Sequence, residues 1–371
     1  MGVLQGVRIV EVEGLGPAPF AGMLLSDMGA EVIVVHRKGG KTAPGMPERS
    51  VLDRGKRSIE LDLKDADDKA VFMKLVARAD ALIEGFRPGV MERLGLGPEA
   101  CHAVNSTLVF GRMTGWGQSG PLAHAAGHDL NYIAMSGALW YSSAPQDAPV
   151  SPATLVGDIG GGAMYLVSGV LAGILQAKTS GQGTVVDAAI YDGSAHMMNL
   201  LMALRQGGGM PDARGQGLLD GPHWSRTYEC ACGGYLSVQS LEPQFYAELL
   251  KILDLEGDAE FQRQYDKVLW PLLTERLAEI FKAKTRDAWA VIFLGTDACV
   301  APVLSPDEAR HHEMNHARNA WYEVEGVLQA APAPRFRDQG DWAPPRAPLR
   351  GADSAAILAD WDARFGFTLQ I

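Results

Sequence analysis

Apolar and polar positions alternate from the first residues of the chain. Val7-Arg8-Ile9-Val10-Glu11-Val12 reads as a strand, Gly14-Leu15-Gly16-Pro17-Ala18-Pro19-Phe20 as a turn opening a helix, and the apolar run to about Met28 as that helix. Glu31 to Val35 is a second strand and Ser58 to Leu63 a third, followed by a helix that Asp65 caps and that runs to about Ala79. Ala81-Leu82-Ile83-Glu84, Thr107 to Arg112 and Thr184 to Ile190 continue the strand pattern. Between the last two lie a helical run after Gly127-His128 and another opened by Gly157-Asp158, continuing to about Gln176. Strands that alternate with helices predict an α/β fold with a mainly parallel sheet and a ligand crevice at the strand ends.

The pattern then changes. Residues 194 to 226 are rich in Met, Gly, Arg and turn residues, as in a connecting arm, and the Gly233-Gly234 turn between two short strands from Thr227 to Val238 signals a hairpin. Helical segments follow around Pro243 to Leu253, Trp270 to Ala283 and Arg286 to Leu294, then a Pro-rich stretch from Ala331 to Leu349 and a last amphipathic helix, Ala352 to Phe365. The expected organisation is a large domain over residues 1–187, an arm over 188–226, a small α+β domain over 227–320, and a return segment with a C-terminal helix over 321–371 packing on the large domain.

Composition narrows the function classes. With 371 residues, 47% of them hydrophobic, the chain can bury a large core, and a net charge of −11 argues against a general nucleic-acid or anionic-membrane surface. Met1 to Val12 lack a basic stretch leading into a long apolar one, and no apolar run free of charge or turn signals approaches the roughly 18 residues of a membrane span. A soluble, cytoplasmic protein is expected. Its four cysteines, Cys101, Cys230, Cys232 and Cys299, form no disulfide framework in a chain this long.

Candidate chemistry concentrates at the turns. Gly14-Leu15-Gly16 has Pro19 where a dinucleotide fingerprint has its third glycine, and His36-Arg37-Lys38 ends the second strand where an NAD enzyme places a carboxylate. That cationic cluster suits a phosphorylated ribose; it is equally readable as a solvated basic turn. Gly85-Phe86-Arg87-Pro88-Gly89 is a stiff turn with an arginine on its rim, and Arg93 follows on a short helix. His128 and Asp158 each stand beside a glycine at a helix start, where free N–H groups can hold developing negative charge and a base can take a proton beside a carbonyl. The plainer alternatives are a hydrogen-bonded helix-start histidine and an N-cap aspartate.

Other features carry less. His312-Glu313-Met314-Asn315-His316 fits the zinc-protease pattern H-E-x-x-H, yet it follows the Pro306 turn in a polar stretch with no evident third ligand. Cys230-Ala231-Cys232 has the wrong spacing for a zinc knuckle and suits core or interface packing. Met197, Met198, Met202 and Met210 fit either a pliable acyl-binding surface or helix packing.

Read in order, Ile83 to Gly89, Met113-Thr114-Gly115-Trp116-Gly117, Gly127-His128-Asp129-Leu130-Asn131-Tyr132, the Gly157-Asp158 turn, Glu242-Pro243-Gln244-Phe245-Tyr246 and Cys299-Val300-Ala301-Pro302-Val303 resemble the family III CoA-transferase (CaiB/BaiF) fold. Within it they resemble the α-methylacyl-CoA racemase branch. The likeness runs from Val7 to about Val303. It implies an interlocked homodimer, each subunit with a large Rossmann-like CoA-binding domain and a smaller domain, and an acyl-CoA thioester as substrate. By motif match, Arg37, Leu61, Asp62, Leu63, Lys64, Gly85, Phe86, Arg87 and Arg93, with Gly127, Asp129, Leu130, Asn131 and Tyr132, would hold the CoA part of that substrate. Phe86 stands where the family pattern has a tyrosine, and the lost hydroxyl bears on at most one polar contact.

The same resemblance makes His128 and Asp158 paired bases on either face of the α-carbon, with Glu242 from the small domain steadying the histidine. A thioester acidifies its α-carbon, so one group removes the proton and the other returns one through a planar enolate. No separate cofactor or metal is implied, and neither a nucleic-acid partner nor membrane insertion. Two alternatives stay open: a CoA-transferase, with Asp158 as nucleophile and no base role for His128, and a metal hydrolase built on His312 and His316.

Overall fold

The structure, a computed structural model, describes residues 2–41, 45, 47–337 and 343–366. Its scaffold is a six-stranded sheet in the order β3-β2-β1-β4-β5-β6, made of β1 (Arg8–Val12), β2 (Glu31–Arg37), β3 (Arg57–Leu61), β4 (Ala81–Glu84), β5 (Val109–Thr114) and β6 (Thr184–Ala189). Every pairing is parallel, with Val10 opposite Ile33 on one side and Leu82 on the other. The connecting helices are α1 (Pro17–Asp27), α2 (Ala66–Val76), the short α3 (Val90–Arg93) and α4 (Pro98–Val104), α5 (Asp129–Ser136), α6 (Met164–Ser180) and α7 (Ile190–Met197).

Strand alternation explains the layering. Ile9, Val32, Ile83 and Val109 face one way and pack with Leu24 and Leu25 of α1 and Leu166 and Val170 of α6. Val10, Ile33, Ile59, Leu82 and Phe110 face the other way, against Phe72 and Leu75 of α2 and Ile357 and Trp361 near the C-terminus. A sheet covered on both faces needs strands that are apolar on both sides, and β1 is buried from Ile9 to Val12. The order of strands turns at β1 and β4, which opens a crevice beyond their carboxyl ends.

Glu11 is the exception inside β1. Its carboxylate is fully buried and bound to Lys56 Nζ at 2.7 Å and 2.9 Å, while the same ammonium reaches the Pro19 carbonyl at 3.1 Å and Asp53 Oδ1 at 3.3 Å. Gly22 of α1 makes room for it, since a Cβ there would stand 1.8 Å from Glu11 Oε2. Burial pushes the Glu11 carboxyl up to about 7, against the pull of Lys56.

The chain divides into two compact units, the first comprising residues 1–138, 152–197 and 313–371 and the second residues 139–151 and 198–312. The second contains α8 (Asn199–Gln206), β7 (Ser225–Glu229), β8 (Tyr235–Gln239), α9 (Pro243–Ile252), α10 (Trp270–Phe281), α11 (Arg286–Phe293), β9 (Val300–Pro302) and α12 (Pro306–His311). Its antiparallel three-stranded sheet, β7-β8-β9, packs on an aromatic core that includes Trp224, Tyr246, Trp270 and Phe281. The first unit closes with α13 (Glu313–Arg318), the hairpin of β10 (Trp321–Val324) and β11 (Val327–Ala330), and α14 (Ser354–Phe365).

These limits differ from those expected from the sequence. Residues 139–151 group with the second unit because Trp140 Nε1 donates to the Asp212 carbonyl at 2.8 Å, Tyr141 to the Pro211 carbonyl at 3.1 Å, and Arg214 to the Ser142 carbonyl at 2.8 Å. The stretch 188–226 is not an irregular arm at its start: α7 and α8 occupy most of 190–206, and α7 lies so close to residue 161 that a Cβ on Gly193 would stand 1.9 Å from the Gly161 carbonyl oxygen. The helical stretch Leu155 to Ser180 is, by length and composition alone, apolar enough to cross a membrane, although its sequence is punctuated by glycine. Val167, Val170 and Ile174 on that stretch are buried in the core beside the sheet.

Candidate active site

His128 ends an extended segment and caps α5, with φ −137° and ψ 173°. Its N–H donates to Asn131 Oδ1 at 3.0 Å, and its carbonyl receives the N–H of Asn131 at 2.8 Å. Both backbone groups are thus fixed, while the imidazole is exposed and lines a cavity of about 540 Å³. The residue before it is held by Tyr132, whose hydroxyl donates to the Gly127 carbonyl. Gly115 lets that ring in, because a Cβ at Gly115 would stand 2.1 Å from it.

Asp158 lines the same cavity. It lies not at the start of an α-helix but inside a π-helical segment, Leu155–Ala163, which leads directly into α6. Two residues set its position. Asp129, buried on α5, accepts the N–H groups of Gly157 and Asp158 on one oxygen, each at 2.8 Å, so the residue after His128 clamps the backbone that carries Asp158. Thr154, in a left-handed conformation at φ 61°, donates its hydroxyl to Asp158 Oδ2 at 2.6 Å. Burial raises the Asp158 carboxyl above its ordinary range, with the Thr154 hydroxyl and His128 opposing and Asp129 adding to the rise.

This geometry revises the expectation that free N–H groups surround both motifs. Those of Gly157 and Asp158 are committed to Asp129. The first N–H groups of α5 lack an intrahelical acceptor, so α5 is the better placed of the two helix starts to receive negative charge. Thr154 was not marked by any sequence motif, since its role rests on a single backbone conformation. Thr154→Val keeps the β-branched shape and removes the hydroxyl. Titration of the Asp158 carboxyl by carbon NMR should then move upward, and a downward or absent shift would show that the hydroxyl does not hold the carboxylate.

A second cavity, of about 500 Å³, lies at the ends of β1, β2 and β3 and shares Gly14, Leu15, Gly16 and Phe86 with the first. Arg37, Leu61, Asp62, Leu63, Lys64 and Phe86 line it, and Gly85, Phe86, Arg87, Gly127 and Tyr132 line the first cavity. Arg93 is exposed on α3 and lines neither; exposed Leu130, Asn131, whose side chain bonds back to His128, and Asp129, whose side chain holds Gly157 and Asp158, line neither as well. His36 does not join a cationic cluster: it is buried, its Nδ1 lies 2.8 Å from Ser58 Oγ, and burial lowers its proton affinity. Lys38 faces Asp68 at 3.4 Å.

The cation that does enter beside Arg37 comes from the far end of the chain. Arg350 grips Glu13 through both carboxylate oxygens and donates to the Arg37 carbonyl at 3.1 Å. Glu13 also accepts the Arg37 N–H at 2.9 Å, so a carboxylate does stand near the end of β2, already occupied.

Glu242 lies in the second unit, exposed at the N-cap of α9. His312 is the extended C-cap of α12, at φ −70° and ψ 146°, and Glu313 begins α13, so His312 and His316 are not one turn apart on a single helix. Among the described residues no group of three or more His, Cys, Asp or Glu side chains could hold a metal ion.

Comparison with known proteins agrees with this architecture. The chain is 42% identical over 334 residues to alpha-methylacyl-CoA racemase of Mus musculus, covering 90% of this chain and 85% of the relative. It is 40% identical to the Homo sapiens protein of the same name, covering 89% and 86%. Acetyl-CoA:oxalate CoA-transferase of Acetobacter aceti is 27% identical, covering 88% and 87%. The crystal structure of a CAIB/BAIF family protein from Brucella suis matches with a TM-score of 0.82 at 25% identity, over 97% of this chain and 100% of that one. Residues 4–354 fit the profile described as CoA-transferase family III, and the chain belongs to that family.

Proposed function

We propose that this protein is an isomerase that interconverts (2R)- and (2S)-2-methylacyl-CoA thioesters by proton transfer at the α-carbon. The observation that carries the reading is that His128 and Asp158, two groups able to exchange protons, line one cavity and are tied together by Asp129. The 40% and 42% identity to proteins named as racemases supports it. In the reaction one group takes the α-proton, the thioester oxygen gains negative charge near the start of α5, and the other group delivers a proton to the opposite face. A raised carboxyl affinity at Asp158 suits this task, since it must hold a proton while His128 is free to accept one.

The adjoining cavity is proposed to take the nucleotide end of CoA, with Arg37 and Arg350 at its phosphate side and Gly85-Phe86-Arg87 leading the pantetheine toward His128. CoA enters as part of the substrate, and no further cofactor is invoked. The assembly proposed is an interlocked homodimer in which Glu242 steadies His128. Its support, besides the family resemblance, is the exposure of Met135, Leu155, Leu175 and Leu200, large apolar side chains that a second copy would cover. A cytoplasmic location without membrane insertion completes the reading; the four cysteines are unpaired, as in a reducing compartment.

A CoA-transferase is the second reading, favoured by the 27% identity to an enzyme of that name and by Asp158, which could act as nucleophile. Incubating the protein with one enantiomer of a 2-methylacyl-CoA in heavy water separates them. Racemisation accompanied by deuterium at the α-carbon is expected. Transfer of CoA to an added acid without α-deuteration would establish the transferase instead.

A further inference from the structure

Tyr132 is more than a wall of the catalytic cavity. Its ring is almost wholly buried, sits edge-on to Trp116 with centroids 4.8 Å apart, and lies close against Gly115. The hydroxyl donates to the Gly127 carbonyl, which belongs to the peptide bond that leads into His128. Trp116 in turn leans on Tyr191 at 6.2 Å, and the Tyr191 N–H donates to the Gly115 carbonyl at 3.0 Å, so the ring is seated from the β5 loop and from α7. Gly127 has no Cβ, and one there would stand 2.8 Å from the Tyr132 ring and 3.1 Å from Trp116 Nε1.

The two candidate bases are therefore fixed by different devices. Asp158 is held by Asp129 through its backbone and by Thr154 through its carboxylate, and neither bond involves Tyr132. The peptide leading into His128 is held by the Tyr132 hydroxyl.

We propose that Tyr132 is a positioning residue for one half of the reaction: its hydroxyl, through the Gly127 carbonyl, aims His128, whereas the bonds that hold Asp158 come from Asp129 and Thr154. This rests on the two-base reading above. A single orienting hydrogen bond acts on the rate of the step that needs the aim, because misplacing a base by a fraction of an ångström lowers proton transfer without removing substrate contacts. The ring and its contacts survive in Tyr132→Phe, and only the donor is lost.

The test places Tyr132→Phe in two backgrounds and follows α-proton exchange in heavy water. Added to Asp158→Ala, where His128 alone exchanges protons, it should slow exchange about ten-fold. Added to His128→Ala, where Asp158 alone works, it should change exchange by less than about two-fold. Equal slowing in both backgrounds, or in neither, overturns the inference. In the otherwise unaltered protein the imidazole nitrogen resonances of His128 should shift with Tyr132→Phe. Unmoved resonances in Tyr132→Phe overturn the inference regardless of turnover, whereas loss of all exchange in both parent variants condemns the two-base reading instead.

Discussion

Replacing either His128 or Asp158 with alanine is expected to abolish interconversion of the enantiomers, while loss of one general base, about 10²- to 10⁴-fold in rate, leaves proton exchange measurable. Racemisation requires a proton taken and a proton returned on opposite faces, so neither base suffices alone. Exchange is less demanding, because a lone base can remove and restore a proton on its own face. Each variant should retain slow deuterium uptake from one enantiomer, and the two should prefer opposite enantiomers. Both changes leave the scaffold in place: His128 caps α5 through backbone groups, and the Asp158 N–H stays on Asp129. Glu242→Gln should cost less than either. Near-normal racemisation by His128→Ala, or both variants favouring the same enantiomer, would defeat the scheme. Retained CoA transfer in His128→Ala with its loss in Asp158→Ala would point to the transferase.

What could be read from the sequence follows from the range of the interactions concerned. The strands of the large unit were legible because a sheet buried on both faces needs nearly continuous apolar runs such as Ile9 to Val12, bounded by polar turns. Asp65 was legible as a cap because its carboxylate acts two and three residues ahead, on the N–H groups of Asp67 and Asp68. His128 and Asp158 stood out beside glycines, and both line the cavity.

The supports around them were not legible. A π-helical turn has no apolar period of its own, and the Asp129 clamp spans 28 and 29 residues. His36 was misjudged because it sits beside two exposed cations while its own position in β2 faces inward. Arg350 reaches Glu13 across 337 residues, a pairing no local pattern announces. Residues 139–151 belong with the second unit through bonds to carbonyls of Pro211 and Asp212, and backbone acceptors leave no trace in residue type.

The largest stability effect is expected at Lys56. Its ammonium is fully buried between both Glu11 oxygens, the Pro19 carbonyl and Asp53, so Lys56→Met leaves a carboxylate in the centre of the sheet without its counter-charge. Breaking one side of a buried pair costs about 3 to 5 kcal/mol. The cost should depend on pH in a direction set by Glu11. Burial raises its carboxyl from 4.5 to about 7, so its contribution to stability is fully present below about 4.5 and fades as pH rises through about 7. Asp53 adds to that rise and itself faces His36 at 3.9 Å, while Lys56 opposes it. Removing Lys56 pushes the Glu11 carboxyl higher still. At pH 8 the variant must either ionise Glu11 unpaired or hold its proton against the solvent, and urea unfolding should show the full loss. At pH 5.5 Glu11 is largely protonated with or without Lys56, and the loss should fall to less than half. Adding Glu11→Gln to Lys56→Met removes the group that titrates, so the double variant should recover much of the stability at pH 8 and lose the pH-dependent gap. A loss of equal size at both pH values, unrelieved by Glu11→Gln, would mean that Lys56 matters for its packing or for Asp53 and not for its charge beside Glu11.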